Sequence, residues 1–511
     1  MNCVSPTILN LPYEATAKIC NWHMLMGGNI ATLLLVCRQW TTIVYSSPRI
    51  WSRIAVTDND STRVRLKGAL RCTDLNQLHS ALSRSRSSPL QIEISFRTSH
   101  TMGNPQNSSR LTSIEHGPLA GANRAEAVKV ILDNQVLRRC TFIALGSYFL
   151  TLRDQRRPIA GHKDMPILPL LSSLYMDSYD QGENELLFLQ SLVTRSPLLL
   201  HIHYECYMNL REHCLSPQHL GEGNWTKRVE TYSWLTPFEP CHILHESPSL
   251  RELGIAGKPT GPLTLPALQV LRWALDDYSG FQLVTAPHLH TLILDHPQYI
   301  QAPNRPPPPA GSISLPSLRI AMHRISNLNY ISIFQTPALE HLSIQSKSSS
   351  SPLALFDLFD GSAHMPTPKS LHLDCPFTDA ALIAVLGRLP WLEELQIAGT
   401  IAQGAFWEGL TPDPHPGEHE NRVLIPNLKS LLVNYSTGDL YIPPEFLMRR
   451  WTFDGHSMGG AWTVERASAV SAAREKAGCS LETLACWSPN RKVEMLIGNL
   501  DSLPERPKYV Y

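Results

Sequence analysis

The chain has 511 residues, 43% of them hydrophobic and 17% charged, and its 44 Lys plus Arg are matched by 44 Asp plus Glu. That balance excludes the broad positive field on which non-specific nucleic-acid binding depends, and the length allows two or more packed regions. No stretch approaches the roughly 20 apolar residues of a membrane-crossing helix and no basic segment leads into an apolar run at the N-terminus, so a cytoplasmic or nuclear protein is expected, with neither membrane nor nucleic acid as partner.

Residues 1–54 have a character of their own. Pro12 suits a helix start and Ile19 returns to its face after two turns, which predicts a short amphipathic helix. A second helix is expected through LLLVCRQWTTIV, residues 33–44, apolar at Leu33, Val36, Cys37, Trp40 and Val44. Two short helices cannot hide so much apolar surface from water, so this head either caps the rest of the chain or offers part of its surface to a partner. Five elements recur in order here: Leu11-Pro12-x-Glu14, Ile19, the run Leu33 to Val36, Cys37-Arg38-x-Trp40, and Ser47-Pro48-Arg49-Ile50-Trp51. Together they resemble an F-box of the type common in the expanded F-box families of mushroom-type fungi. The resemblance implies that Leu11, Pro12, Ile19, Leu33, Val36, Cys37 and Trp40 bind the Skp-type adaptor of a cullin-RING ubiquitin ligase. Ser88-Pro89-Leu90 and Arg450-Trp451 also resemble the leucine-rich region of that family.

From about residue 54 onward the pattern is helix, then strand. It can be read in residues 75–96 and 125–145, and again in 183–204, where Leu186, Leu189 and Val193 keep helical spacing before Ser196-Pro197 and an apolar strand. In 377–397, Thr378 is placed to cap a helix that runs through Leu386. Between and among these units a phrase repeats, proline followed by L-x-x-L-x-apolar: LPLLSSLYM (168–176), SPSLRELGI (247–255), LPALQVLRW (265–273), APHLHTLIL (286–294), LPSLRIAMH (315–323), TPALEHLSI (336–344), LPWLEELQI (389–397) and IPNLKSLLV (425–433). Proline cannot continue a helix or donate to a ladder, so each copy should open a strand. In SPSLRELGI, Leu253 and Ile255 share one face and Glu252 and Gly254 the other. One such strand cannot bury its apolar face alone, whereas stacked copies about 20 to 30 residues apart can.

The expected fold is therefore α/β: an F-box-like helical domain at 1–54 and an irregular leucine-rich-repeat solenoid over 55–511, with parallel strands on the concave face and helices and loops on the convex side. Residues 303–311, 346–352 and 411–422 should be surface loops, and 205–240 a longer one. Side chains between the buried positions should line the concave face; Glu252, Arg272, Thr291, Met322, His341, Glu394 and Gln396 are the candidates for contact with a target protein.

Two clusters invite catalytic or metal readings. GHSMGG, residues 455–460, satisfies G-x-S-x-G at Ser457. An α/β-hydrolase would precede that serine with a buried apolar strand and follow it with a histidine, but LMRRWTFD comes before it and no histidine comes after. A glycine-rich turn is expected instead. His201, His203, Cys206, His213, Cys214 and His219 lie close in sequence, but their spacing matches no standard zinc finger. The eleven cysteines, scattered from Cys3 to Cys486 without a C-x-x-C pair, suit reduced thiols. No catalytic residue, cofactor or metal is assigned. The function expected is that of a substrate-receptor subunit of a ubiquitin ligase, or alternatively of a non-catalytic repeat scaffold whose F-box head is structural or diverged.

Overall fold

The computed structural model describes residues 11–26, 28–57, 65–66, 68–96, 122–146, 165–178, 183–206, 225–235, 247–256, 259, 261–274, 278–295, 312–324, 331, 333–346, 355, 359, 367–375, 378–398, 404–412, 424–434, 460–487 and 493–497. The chain divides into two compact units, Met1–Gly261 and Pro262–Tyr511.

The first unit opens with three helices, α1 (Tyr13–Leu25), α2 (Ile30–Val36) and α3 (Arg38–Ser46). Pro12 directly precedes α1, and its carbonyl accepts the amide of Thr16. The single helix expected over 33–44 is in fact two. Cys37 is fully extended (φ −167°, ψ 170°), and the Thr41 hydroxyl donates to the carbonyls of both Leu34 and Cys37, closing the corner between α2 and α3. A one-turn 3-10 segment, Pro48–Trp51, leads from α3 into the sheet.

That sheet contains β1 (Arg53–Thr57), β2 (Leu70–Cys72), β3 (Leu90–Ser95), β4 (Cys140–Leu145), β5 (Ser173–Ser178), β6 (His201–Cys206), β7 (Thr231–Leu235) and β8 (Glu252–Ala256). Every pairing is parallel. β2 flanks β1 on one side, and β3 to β8 follow on the other in chain order. Helices Leu75–Ser85, Ala122–Ile131 and Glu183–Thr194 precede strands as the helix-then-strand pattern predicts. β7 corrects the expectation of one long loop over 205–240: Lys227 and Val229 stand where other copies have proline and leucine.

The second unit repeats the plan. Its long strands β10 (Val270–Ala274), β12 (Thr291–Asp295), β14 (Ile320–Arg324), β16 (His341–Gln345), β17 (Ser370–Asp374), β18 (Glu394–Ala398), β19 (Ser430–Asn434) and β20 (Thr483–Trp487) pair in parallel in that order, and β21 (Val493–Ile497) adds antiparallel to β20. Two-residue strands pair one step upstream, β9 (Leu263–Thr264) with β11 (Val284–Thr285) and β13 (Ile313–Ser314) with β15 (Phe334–Gln335). The fold is thus mixed α/β with extended parallel sheet. The loops expected at 303–311, 346–352 and 411–422 fall almost wholly outside the described residues, as do Ser457 and Arg450-Trp451. A helix the sequence pattern did not suggest, Gly460–Lys476, begins at the last glycine of GHSMGG.

The repeated phrase folds one way each time. Proline does not open the strand itself. It occupies the second place of a tight turn, its fixed φ matching that position, and the leucine two residues later donates its amide to the carbonyl before the proline: Leu250 to Ser247, Leu268 to Leu265, Leu289 to Ala286, Leu318 to Leu315, Leu339 to Thr336, Leu392 to Leu389 and Leu428 to Ile425. The strand then starts four residues after the proline, as Pro248 with Glu252, Pro266 with Val270 and Pro390 with Glu394 illustrate. Second and fourth strand residues are buried: Leu253 and Ile255, Leu271 and Trp273, Leu292 and Leu294, Leu395 and Ile397. Thr378 caps the helix Asp379–Leu386 by accepting the amide of Ala381 at 3.4 Å.

Candidate functional site

Two surfaces hold the residues singled out from the sequence. The first is the helical head. Its interior is made by Cys20, Met24, Leu33, Trp40, Ile43, Val44, Ile50 and Trp51. The Trp51 indole N–H donates to the Val44 carbonyl at 2.8 Å, its ring stacks on Tyr45, and the Arg84 guanidinium covers both rings. Gly68, with φ +68°, lies so near the carbonyl of Met24 that any Cβ would overlap it, which brings the chain between β1 and β2 against the end of α1. Of the seven expected adaptor-binding residues, Pro12, Ile19 and Val36 are exposed, Leu11 and Cys37 are half-buried, and Leu33 and Trp40 are buried in the head. Trp40, at 5% exposure, packs in the interior of the head.

The exposed apolar surface includes residues the sequence reading passed over. Trp22 is 63% exposed, Met26 61% and Leu35 85%, with Tyr13, Leu25 and Tyr45 also open. Ile19, Trp22 and Met26 follow one another at helical spacing of three and four, a signal present in the sequence.

The second surface is the face of the strands opposite the core. In the second unit the register aligns Thr291, His341 and Glu394 in one row and Arg272, Met322 and Gln396 in the next. Glu252, in the first unit, is the exposed first residue of β8. Thr291 and Met322 are buried on this face, whereas Arg272, His341, Glu394 and Gln396 are half-buried. A third row, missed in the sequence, carries polar pairs. Arg272 Nε meets Asp295 Oδ2 at 2.8 Å, Arg324 Nη1 meets Asp295 Oδ1 at 3.4 Å, and Gln345 Nε2 donates to Asp374 Oδ2 at 2.9 Å. Ser343 Oγ and His372 Nδ1 lie 2.9 Å apart one row back.

Of the histidine and cysteine cluster, His201 and His203 lie on β6, two residues apart and so on one face, and His203 stacks on Tyr175 with centroids 4.2 Å apart. His213, Cys214, His219 and the Cys206 side chain lie outside the described residues. Among the described residues no group of three or more His, Cys, Asp or Glu side chains is arranged to hold a metal ion. Six described cysteines, Cys20, Cys37, Cys72, Cys140, Cys375 and Cys479, are free thiols. Burial pushes Cys72, Cys140 and Cys375 up to about 12, which leaves them protonated and poor nucleophiles. Among the described residues no helix is long and apolar enough to cross a membrane.

No family model matches the chain, and none of the curated proteins compared with it matches its sequence.

Proposed function

We propose that the chain is the substrate-receptor subunit of a Skp-cullin-F-box ubiquitin ligase, its head an F-box that docks on the adaptor and its leucine-rich-repeat solenoid the holder of a target protein. One observation carries this reading. Eight of the eleven large hydrophobic residues exposed among the described residues fall between Tyr13 and Tyr45. Apolar area concentrated in so short a stretch is costly to leave in water and marks a surface that a partner covers. Trp22 and Leu35 are its most exposed members on α1 and α2, and each is free to insert into a partner without leaving the core of the head.

The head also contacts the rest of the first unit, through the Pro48–Trp51 turn that leads into β1 and through Arg84 of the helix Leu75–Ser85, which favours a second reading, a repeat scaffold with a structural head. The two readings differ in one assay. In the receptor reading the purified chain captures a Skp-type adaptor, and a Trp22→Ala plus Leu35→Ala variant, folded as wild type, loses capture by about thirtyfold or more, the equivalent of about 2 kcal/mol. In the scaffold reading neither protein captures adaptor.

A further inference from the structure

The sheet face of the first unit already holds a ligand supplied by its own chain. The register aligns Arg71, Ala55, Glu93, Ala144, Tyr175, His203, Ser233 and Gly254 in one row across this face. Glu93 is only 2% exposed, and a carboxylate is costly to bury unless its oxygens are paired. Both are paired, and both with backbone: the amide of Arg65 donates to Oε1 at 3.0 Å and that of Leu66 to Oε2 at 2.7 Å. Arg65 and Leu66 belong to no helix or strand. One strand beyond the Ala144 methyl, the Arg65 guanidinium lies 3.7 Å from the centre of the Tyr175 ring, itself backed by His203, and Nη1 meets Asp177 Oδ2 at 2.6 Å. Asp177 is two residues along β5 from Tyr175 and therefore on the same face.

These are the parts of a peptide-reading site. A buried carboxylate that grips two consecutive amides recognises bent backbone whatever its side chains, because successive amides of an extended chain point opposite ways. An acid beside an aromatic face selects a guanidinium by a charge-assisted hydrogen bond and a cation–π contact together. Leu66, almost fully buried, fills the place next to the arginine.

We propose that Glu93, Tyr175 and Asp177 form a binding site for an arginine-bearing peptide, that Arg65-Leu66 occupies it as a tethered stand-in, and that a target segment with arginine followed by an apolar residue displaces it. The proposal rests on the target-holding half of the receptor reading and is independent of the adaptor half.

The test uses the full chain and two probes, acetyl-Arg-Leu-amide and the same dipeptide with citrulline in place of arginine. A tethered ligand acts at an effective concentration on the order of millimolar, so the wild-type site is mostly closed to the probe. Arg65→Ala should therefore bind the arginine probe about tenfold or more tighter than wild type, discriminate against citrulline by a similar factor, and lose the gain when Asp177→Asn is added. Equal binding by wild type and Arg65→Ala, or binding indifferent to Asp177→Asn, would overturn the proposal. Should Arg65→Ala fail to fold, amide exchange in the wild-type chain decides. With arginine probe at about ten times the tether's effective concentration, the Arg65 and Leu66 amides should exchange several-fold faster, and unchanged protection would refute displacement. Adaptor capture by the same wild-type protein is read in parallel, so failure here and failure of the ligase reading are told apart.

Discussion

Trp51 and Val44 are joined by a 2.8 Å hydrogen bond from indole N–H to main-chain carbonyl, and this contact fixes the turn that leads from the helical head into the first strand. Val44 sits near the end of α3, and its carbonyl also accepts the amide of Ser47. Trp51→Phe keeps an aromatic ring but loses the N–H donor, leaving the Val44 carbonyl the Ser47 amide alone, so it should cost about 1 kcal/mol for the hydrogen bond and somewhat more for the smaller ring. Trp51→Ala should cost about 3 to 5 kcal/mol, because it also empties a buried aromatic site under Arg84. Urea denaturation of the two variants checks the order.

Leu395 aligns with Leu371 on one neighbouring strand and Leu431 on the other, and all three are buried. Truncating Leu395 to Ala should cost about 2 to 5 kcal/mol, since strands paired on both sides limit how far the cavity can collapse. Removing three of the prolines at 306–309 should leave the melting transition nearly unchanged. A large loss from that deletion would show that the polyproline run is structural.

His323 occupies a core position of β14 where the other copies of the repeated phrase carry an aliphatic, methionine or tryptophan side chain. It is buried near Phe334, and its Nδ1 has no hydrogen-bond partner among the described residues. Burial pushes its pKa down to about 4 from an ordinary 6.5. As pH falls through that window the unfolded chain takes up a proton that the folded chain refuses. Stability present above the ordinary value is thus lost as pH drops towards the folded one, by about 3 kcal/mol in total. His323→Leu should raise the melting temperature and flatten its dependence on pH across this window. An unchanged slope would place the acid sensitivity elsewhere.

Arg474, fully buried on the helix Gly460–Lys476, donates through Nη2 to the Ile425 carbonyl at 2.8 Å and through Nη1 to that of Leu424 at 3.2 Å. Ile425 has φ +54°, an uncommon conformation for a β-branched residue, so the guanidinium fastens a strained turn next to Pro426. Arg474→Met keeps the stem but leaves both carbonyls without this donor. The expected loss is about 2 to 4 kcal/mol, measurable by thermal melting, with Arg474→Lys intermediate.

Much of the strand plan was legible because a few residues determine it locally. Proline presets its turn, and the alternation after it assigns each side chain to a face. β17 escaped because Pro368 takes the buried place that leucine holds elsewhere, and β7 because Lys227 replaces the proline. The break at Cys37 was hidden inside a continuous apolar run. In the head, both Trp22 and Trp40 fit an amphipathic pattern, and only packing decides that Trp40 turns inward and Trp22 outward. The Arg65 and Asp177 pair joins residues far apart in the chain, and no periodicity announces it. The polar pairs around Asp295 are likewise set by register between strands.

The most direct measurement is a titration of the purified wild-type chain with a Skp-type adaptor, followed by calorimetry or analytical ultracentrifugation. The receptor reading requires saturable one-to-one binding with Kd of about 1 μM or tighter, the equivalent of about 8 kcal/mol, drawn largely from the apolar surface around Trp22 and Leu35. No detectable complex, under conditions where an established F-box protein binds the same adaptor, would contradict it and leave the head as a structural cap.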